Sequence, residues 1–284
     1  MKRAMATLLV LLVVSAVMAQ IPEGDQQWSA RAEGNQNGHA KPDRINAAIA
    51  AYQRAILQDP NDLEPRWKLL RSLRFKGAYV ATTNEEKRQI YSQAKKAGEE
   101  ALALVDRRLA EKGIKSVAKA TENQVADVAK SIPGAAETFL WDAINWGEWA
   151  LAYGKLAAAR QGAADRIRRE ATIANLVDPR LEGGSPSRVL GRLHDQTPRI
   201  PFITGWASSR AAVKFLNDSL KIDPNNKITM VFLAEAMVAN NSDTKPQAVQ
   251  MLRNAVTAPV DQNYVVEQTA ALNDAKNLLK RWGA

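Results

Sequence analysis

The stretch AIAAYQRAILQDPND, residues 48–62, decides the fold. Its small and apolar residues recur at steps of three and four, which is the period of a helix with one buried face. Ala48, Tyr52 and Ala55 follow this spacing, and Pro60 ends it because proline cannot continue a helix. The stretch therefore predicts a helix that packs along one side and stops at a tight turn.

The same spacing returns near the carboxyl end in AAVKFLNDSLKIDPNN (residues 211–226), and over 248–259 it returns with the proline one residue earlier. Small residues let two helices approach closely, a large residue fills the groove between them, and proline turns the chain into the next helix. These small–large–small–proline positions resemble the second helix of a tetratricopeptide repeat. They are Ala48, Tyr52, Ala55 and Pro60; Ala212, Leu216, Ser219 and Pro224; and Ala248, Leu252, Ala255 and Pro259.

Helical periods continue along the chain, whereas the alternating β-branched runs typical of strands are almost absent. The joints are short and rich in Pro, Gly, Asn and Asp, which stop and start helices. We therefore predict an all-α fold, an α-solenoid of antiparallel helical hairpins. It forms a single domain over 43–284, preceded by a flexible or irregular segment over 20–42. The predicted helices include 63–76, closed by Gly77; 84–112, with Asn84 as N-cap; and 135–161.

The composition excludes several kinds of site. A chain of 284 residues, 46% of them hydrophobic, is long enough to bury a large core. It has no cysteine, which excludes disulfides, thiolate metal sites and a cysteine nucleophile. Its two histidines, His39 and His194, belong to no metalloprotease motif, and no phosphate-binding or dinucleotide-binding glycine motif occurs. We predict no enzyme activity, cofactor or metal; a glycosidase-type carboxylate pair stays open, because helical repeats bring distant residues together.

The first 19 residues have the layout of a cleavable secretory signal. Lys2 and Arg3 supply positive charge, an uncharged apolar run follows, and Ala19 ends a small-residue cleavage site. The alternative is a retained membrane anchor, but a membrane span needs about 20 apolar residues and Gln20 closes this run early. We expect cleavage after Ala19 and a periplasmic or secreted protein that is not transmembrane once processed.

The net charge of +9, which falls to +7 when Lys2 and Arg3 are removed, raises the question of nucleic-acid binding. A protein that tracks phosphates needs a continuous basic face. Here the basic groups are separated and mixed with acids, so we predict solvated helix faces and no nucleic-acid partner. The groups are Lys95 and Lys96, Arg107 and Arg108, and Arg166, Arg168 and Arg169 with Glu170.

The helix around Trp141 offers a candidate ligand site. At about 100° per residue, its aromatic rings share an arc of about 140° with a carboxylate and an amide. Such a mixture suits an amphiphilic ligand, with Phe202 and Trp206 covering it from the proline-rich stretch that follows. The alternative is an aromatic core in which the carboxylate and the amide accept hydrogen bonds from indole or hydroxyl groups. The candidate ligand-binding residues are Trp141, Asp142, Asn145, Trp146, Trp149, Tyr153, Phe202 and Trp206.

A second candidate is the block Gly183-Gly184-Ser185-Pro186-Ser187-Arg188. The two glycines can take positive φ or approach another backbone, while Ser185 and Pro186 suit the start of a helix. Free amides at this start, together with Arg188, can hold an anion or contact a partner. The alternative is a well-capped helix start in which Arg188 pairs with a neighbouring acid. The candidate residues for an anion or partner contact are Gly183, Gly184, Ser185 and Arg188.

The order of four stretches resembles the T-component proteins associated with TRAP transporters. They are residues 48–79, the Trp-rich FLWDAINWGEWAL (139–151), the stretch over 174–198 that contains GGSPSRVLG, and the last repeat pair over 211–238. The resemblance implies a tetratricopeptide-type protein of the export compartment that associates with a periplasmic solute-binding subunit. It also implies trimerisation around a pore and allows the handling of an apolar ligand. Some family members are lipoproteins, but this chain lacks the cysteine that a lipid anchor requires.

Two functions follow as expectations. The first is a non-catalytic periplasmic adaptor of a TRAP-type solute transport system, which docks the solute-binding subunit and holds an apolar organic ligand. The alternative is a general tetratricopeptide scaffold for envelope proteins, whose groove holds an extended peptide or a partner helix.

Overall fold

The computed structural model describes residues 20–201 and 203–284, so the predicted signal segment and Phe202 lie outside the described residues. Within these ranges the chain forms thirteen α-helices, three short 3-10 helices and no β-strand. The helices are α1 Gln20–Ser29, α2 Pro42–Gln58, α3 Glu64–Tyr79, α4 Asn84–Glu111, α5 Glu122–Ala129, α6 Ala135–Tyr153, α7 Lys155–Arg160, α8 Ala163–Val177, α9 Leu181–Gln196, α10 Ser209–Ile222, α11 Lys227–Asn240, α12 Lys245–Thr257 and α13 Val265–Trp282.

Most helices pack against the next helix in the chain, as hairpins joined by short turns. This holds from α1 to α4 and again from α8 to α13. The middle is less regular, because α6 packs against α3, α4 and α8, and α5 packs against α8. The predicted all-α fold of stacked helical hairpins is confirmed. No helix in the described ranges combines the length and the apolarity that a membrane crossing requires.

The repeated small and large positions all lie in the core. The nine residues of the three copies are at most 6% exposed, and the three prolines lie just after the ends of their helices. The spacing read from the sequence therefore marks the buried faces of α2, α10 and α12. The nine residues are Ala48, Tyr52, Ala55, Ala212, Leu216, Ser219, Ala248, Leu252 and Ala255.

The segment over 20–42, predicted to be flexible or irregular, is helical over its first ten residues and irregular over 30–41. The segment begins with α1, which packs along α2 and brings Gly24 against the ring of Tyr52. The Tyr52 hydroxyl donates a 2.7 Å hydrogen bond to Asp25, and the Lys68 ammonium lies 2.6 Å from the other oxygen of that carboxylate. The sequence of α1 has no apolar period, because this helix is held largely by polar contacts.

Three helix ends also differ from the prediction. Gly77 lies inside α3 rather than after it, because the missing side chain makes room for the Tyr91 ring of α4. The N-cap of α4 is Thr83, not Asn84, and its hydroxyl accepts the amide hydrogen of Glu86. The helix predicted over 135–161 breaks at Gly154, whose φ of 93° is incompatible with a helix.

The two ends of the described chain meet. A guanidinium nitrogen of Arg31 lies 2.9 Å from a carboxylate oxygen of Glu267 in α13, although the two residues are 236 positions apart. The amide of Asn273 donates to the carbonyl of Asn37 at 3.0 Å. Val266 joins the core cluster formed by α2 and α3. The helical stack therefore closes on itself, with α13 against the segment that follows α1.

Candidate functional site

The Trp-rich helix α6 is packed on two sides, by α4 and by α8. The Trp146 and Trp149 rings are in edge contact at 5.7 Å between centroids, and Trp149 stacks on Tyr153 at 4.7 Å. Trp146 and Trp149 are buried, Trp141 is half-buried and Tyr153 is 39% exposed. The structure therefore brings the predicted rings together, but it encloses two of them.

Cations from the neighbouring helices lie over these rings. The Lys95 ammonium of α4 is 4.3 Å from the centroid of Trp146 and 4.7 Å from that of Trp149. The Arg166 guanidinium of α8 is 4.7 Å from Trp146. Such contacts occupy the faces of the rings and stabilise the helix packing. This placement favours the core alternative for Trp146 and Trp149, while a ligand role for Trp141 and Tyr153 stays a prediction.

Asp142 is fully buried and shares one cation with a second buried acid. Nη2 of Arg166 lies 2.8 Å from Asp142 Oδ2, and its Nε lies 2.9 Å from Glu170 Oε1. Burial raises the pKa of both carboxyls, and that of Glu170 rises furthest because the Asp142 charge adds to it. The sequence analysis placed Glu170 among exposed helix charges, and this is wrong.

Asn145 is also fully buried, and its amide nitrogen donates to the carbonyls of Leu70 and Trp141 at 3.0 and 2.8 Å. The core alternative required Asn145 and Asp142 to accept hydrogen bonds from indole or hydroxyl groups. Neither residue accepts a hydrogen bond from an indole. The indole nitrogens of Trp141 and Trp146 are buried and have no hydrogen-bond partner among residues 20–201 and 203–284. The hydrogen bond from Asn145 to the carbonyl of Leu70 ties α6 to α3.

Trp206 lies on a different surface from the one predicted. Its indole donates to Asp165 at 2.9 Å, the Arg168 guanidinium lies over its ring at 4.7 Å, and His194 meets it edge-on at 5.2 Å. These contacts attach Trp206 to α8 and α9 rather than to α6. The predicted role of Phe202 falls outside the described residues.

The block over 183–188 is packed backbone to backbone. Glu182, Gly183 and Gly184 all have positive φ, after which regular helix resumes at Ser185. A side chain on Gly184 would lie 3.1 Å from the carbonyl oxygen of Ser219 in α10, which leaves no room for an anion there. The Asp223 carboxylate lies beside Gly183 and would repel an anion. Contact with α10 therefore explains both glycines, and Ser185 is buried with them.

Arg188 meets no carboxylate at contact distance. Its guanidinium donates to the hydroxyl of Thr229 at 3.3 Å and to the carbonyl of Glu182 at 3.5 Å. Burial, reinforced by repulsion from Arg74, lowers the pKa of Arg188 to about 10. The Arg188 side chain is half-buried. The predicted pairing of Arg188 with an acid is therefore wrong at contact distance.

Arg188 belongs to a group of arginines from α3, α9 and the segment that follows α1, which we name the inner arginine cluster. It consists of Arg31, Arg71, Arg74 and Arg188. Two members are neutralised at contact distance. Arg31 pairs with Glu267, and Arg74 lies 3.0 Å from Glu148 and donates to the Tyr79 hydroxyl at 2.9 Å. Arg31 and Arg74 therefore hold helices together.

The main contacts of the Arg71 guanidinium are with aromatic rings and not with a carboxylate. Its guanidinium lies 4.0 Å from the centroid of Trp28 and 5.0 Å from that of Trp67. The carboxylate in salt-bridge range is Glu182, at 3.9 Å. The Arg71 Nε is buried without a hydrogen-bond partner among the described residues, and burial lowers the pKa of the side chain. Arg71 and Arg188 are thus the two arginines of the cluster without a close carboxylate.

Of this cluster, sequence reasoning found Arg188 alone. Arg71 and Arg74 follow Leu70 and Leu73, the buried residues of α3, at the same spacing of three, and this places both arginines on one side of the helix. That spacing is a usable signal for two of the four. The approach of Arg31 depends on closure of the stack, for which no local pattern exists.

Two surface clefts of about 500 and 490 Å³ lie elsewhere. The first is lined by residues that include His194, Arg199 and Ser208, and the second by residues that include Lys76 and Glu86. Among residues 20–201 and 203–284, no residue of the predicted sites or of the inner arginine cluster lines either cleft.

No known protein family and no curated protein matches this chain. One solved structure that does match is the TPR2AB-domain:pHSP90-complex of yeast Sti1. It is 14% identical, with 92% of this chain and 99% of that chain covered and a TM-score of 0.29. At that TM-score, the fold assignment rests on the helices of this chain itself.

Proposed function

We propose that this protein is a non-catalytic binding protein that holds a small ligand on the inner side of its closed helical stack. The observation that carries this proposal is the pair Arg71 and Arg188, two half-buried guanidinium groups; Arg71 reaches a carboxylate only at 3.9 Å, and Arg188 contacts a hydroxyl and a main-chain carbonyl. A charged group in such a place is costly unless something neutralises it. A ligand that binds beside these two arginines offsets the free-energy cost of burying their charges.

We further propose that the binding protein works in the periplasm as the adaptor of a TRAP-type solute transport system. The support is the resemblance of residues 48–79, 139–151, 174–198 and 211–238 to the T-component proteins. In this role the protein docks a periplasmic solute-binding subunit, and three copies assemble around a pore. The predicted cleavage after Ala19 delivers it to that compartment.

The test uses the processed, tagged protein as bait for purified periplasmic solute-binding proteins of the same organism. We expect capture of a solute-binding subunit whose gene neighbours this one, and native mass spectrometry of the bait should show a trimer with a copurifying small molecule. Capture of secretion or cell-wall proteins instead would favour the scaffold alternative. Failure to capture any solute-binding protein would contradict the transport role.

One observation favours a protein partner at a defined place. Leu151 and Leu156 are 73% and 67% exposed, on either side of the break at Gly154, and Tyr153 between them is partly exposed. Large apolar side chains grouped on a surface mark interaction sites. We expect the double substitution Leu151→Ser and Leu156→Ser to reduce capture of the partner at least tenfold. Leu57→Ser is the matched control, because Leu57 is 81% exposed on a different helix.

A further inference from the structure

The connection between α9 and α10 presents two large apolar side chains to solvent. Ile200 is 45% exposed and Ile203 is 64% exposed. The Thr204 hydroxyl donates to the carbonyl of Pro198 and accepts the amide hydrogen of Ile200, and the Thr204 amide donates to the carbonyl of Ile200 at 2.9 Å. These hydrogen bonds within the connection fix the backbone on both sides of the two isoleucines.

The end of this connection is attached to the helical stack. The Trp206 indole donates to Asp165 of α8, and the Ser208 amide donates to Nδ1 of His194 in α9 at 3.2 Å. Ala207 between them is 3% exposed. The exposure of the two isoleucines is therefore a property of an anchored segment, and large apolar side chains grouped on a surface mark interaction sites.

The cleft of about 500 Å³ lies beside this connection, and its lining carries positive charge. Arg199 and Arg210 both line it, both are exposed, and neither forms a salt bridge within residues 20–201 and 203–284. The Asp195 carboxylate also lines the cleft, but it lies 3.0 Å from Arg192 and its side chain is only 6% exposed. The lining residues that can add hydrogen bonds are His194, Thr197, Ser208, Ser209 and Asn240. The cleft therefore favours an anion.

We infer that this edge of the protein docks on an anionic phospholipid membrane. The cleft takes the phosphate of a lipid headgroup, and Ile200 and Ile203 enter the apolar layer below the headgroups. A guanidinium forms parallel hydrogen bonds with phosphate oxygens, and an isoleucine that leaves water for an apolar layer gains free energy. Arg199 directly precedes Ile200 in the chain, so a cation and an apolar side chain lie side by side, as the phosphates and acyl chains of a bilayer do.

The combination of the two features selects a membrane. A soluble phosphate compound uses the arginines of the cleft but leaves the isoleucines in water. An anionic bilayer uses both, because its surface is negative throughout and its interior is apolar. The sequence over 196–210 contains two arginines and no acidic residue, so this part of the chain meets no repulsion from such a surface.

This inference rests neither on the proposed ligand nor on the transport role. The test is sedimentation of the processed protein with vesicles of equimolar phosphatidylglycerol and phosphatidylcholine, compared with vesicles of phosphatidylcholine alone. We expect binding to the anionic vesicles to be at least about tenfold tighter, and high salt to weaken it because salt screens surface charges.

Two double substitutions test the two features separately. Ile200→Ser with Ile203→Ser should weaken binding to the anionic vesicles at least about tenfold, and so should Arg199→Gln with Arg210→Gln. The matched controls change exposed side chains of α2 and α12, and they should leave the affinity unchanged. They are Leu57→Ser and Arg253→Gln.

Three outcomes would overturn the inference: the anionic vesicles do not bind, the neutral vesicles bind as tightly, or both double variants bind like wild type. Calorimetric titration with inorganic phosphate separates the sources, because phosphate binding without vesicle binding means a soluble ligand. Circular dichroism checks that each variant is folded, and if the isoleucine variant does not fold, the arginine variant decides alone. Capture of a solute-binding protein without vesicle binding removes only the membrane inference, and vesicle binding without capture removes only the transport role.

Discussion

At the residue scale, Arg166 is the side chain on which the centre of the molecule depends. It lies between Asp142 and Glu170, which are almost fully buried, and contacts each within 3 Å. One guanidinium neutralises one carboxylate, and a second negative charge in the same buried place is strongly disfavoured. The raised pKa of Glu170 follows from this arrangement, since the acid that keeps its proton removes the excess charge.

This proton makes stability depend on pH in a defined direction. Because folding raises the pKa of Glu170, its stabilising effect is complete below the pKa of the unfolded chain, near 4.5, and is lost as pH rises through the folded pKa. The substitution Glu170→Gln keeps the neutral shape and should remove this loss. We expect it to gain about 1 kcal/mol in unfolding free energy relative to wild type between pH 5 and pH 8.

The measurement is urea unfolding of both proteins across that range. Glu111→Gln serves as the control, because Glu111 is exposed at the end of α4 and its removal should leave the pH profile unchanged. Parallel profiles for wild type and Glu170→Gln would show that Glu170 is already ionised in the folded protein.

Gly98 gives a second prediction at this scale. A methyl group on Gly98 would lie 1.7 Å from Asp142 Oδ1, so α4 and α6 reach their observed distance only because this side chain is absent. Gly98→Ala should therefore destabilise the protein by about 2–4 kcal/mol in urea unfolding. Gly147→Ala is the matched control, because Gly147 is a helical glycine of α6 with no atom within 4 Å of the added methyl. That change should be neutral or stabilise by up to about 1 kcal/mol.

At the scale of the elements, a helix could be predicted from the sequence when apolar packing holds it, and not when polar contacts do. Ala48, Leu216 and Leu252 belong to periodic apolar patterns that predict helices over 43–58, 207–222 and 246–257, and each observed helix starts within two residues of its prediction and ends at the predicted residue. The helix α1 was missed because its contacts with Tyr52 and Arg54 of α2 are polar and leave no apolar period in its sequence. The break at Gly154 was also missed, since a glycine within a helical pattern fits both a helix interior and a chain reversal.

The start of α4 tests how well a helix end can be assigned. The sequence analysis gave the N-cap to Asn84, whereas the structure places Thr83 there with Glu86 in a reciprocal capping box. Thr83→Ala should cost about 1 kcal/mol of unfolding free energy, and Thr83→Ser should restore most of it. Asn84→Ala, measured in the same thermal unfolding series, should have little effect. The opposite ranking of the two alanine variants would support the cap inferred from the sequence.

At the scale of the whole molecule, closure of the stack creates the candidate site. Arg31 and Glu267 come from opposite ends of the described chain, and their contact holds Arg31 at the Trp28 ring that Arg71 also contacts. Local periodicity predicts which face of a helix is buried, but not whether a row of helices curves back on itself. The fold class was therefore within reach of the sequence, while the arrangement of the inner arginine cluster was not.

The contact between the chain ends yields the last prediction. Arg31 donates three hydrogen bonds to Glu267 and the carbonyl of Asn263, and both charged side chains are about 90% or more buried. Arg31→Met leaves the Glu267 charge without its partner and should destabilise the protein by about 3–5 kcal/mol, whereas adding Glu267→Met should recover part of that loss. Arg44→Met, which breaks the exposed pair with Glu33, should change stability by less than about 1 kcal/mol.

Hydrogen exchange read by mass spectrometry locates the effect of the same substitution. Because α13 is held against the segment after α1 by this pair, Arg31→Met should speed exchange first in α13 and in residues 31–40, before α6 and α8 respond. Uniform acceleration along the chain would mean that the stack unfolds as one unit and that the closing contact has no separate stability. Faster exchange confined to the two ends would instead show that the closing contact opens independently of the rest of the stack.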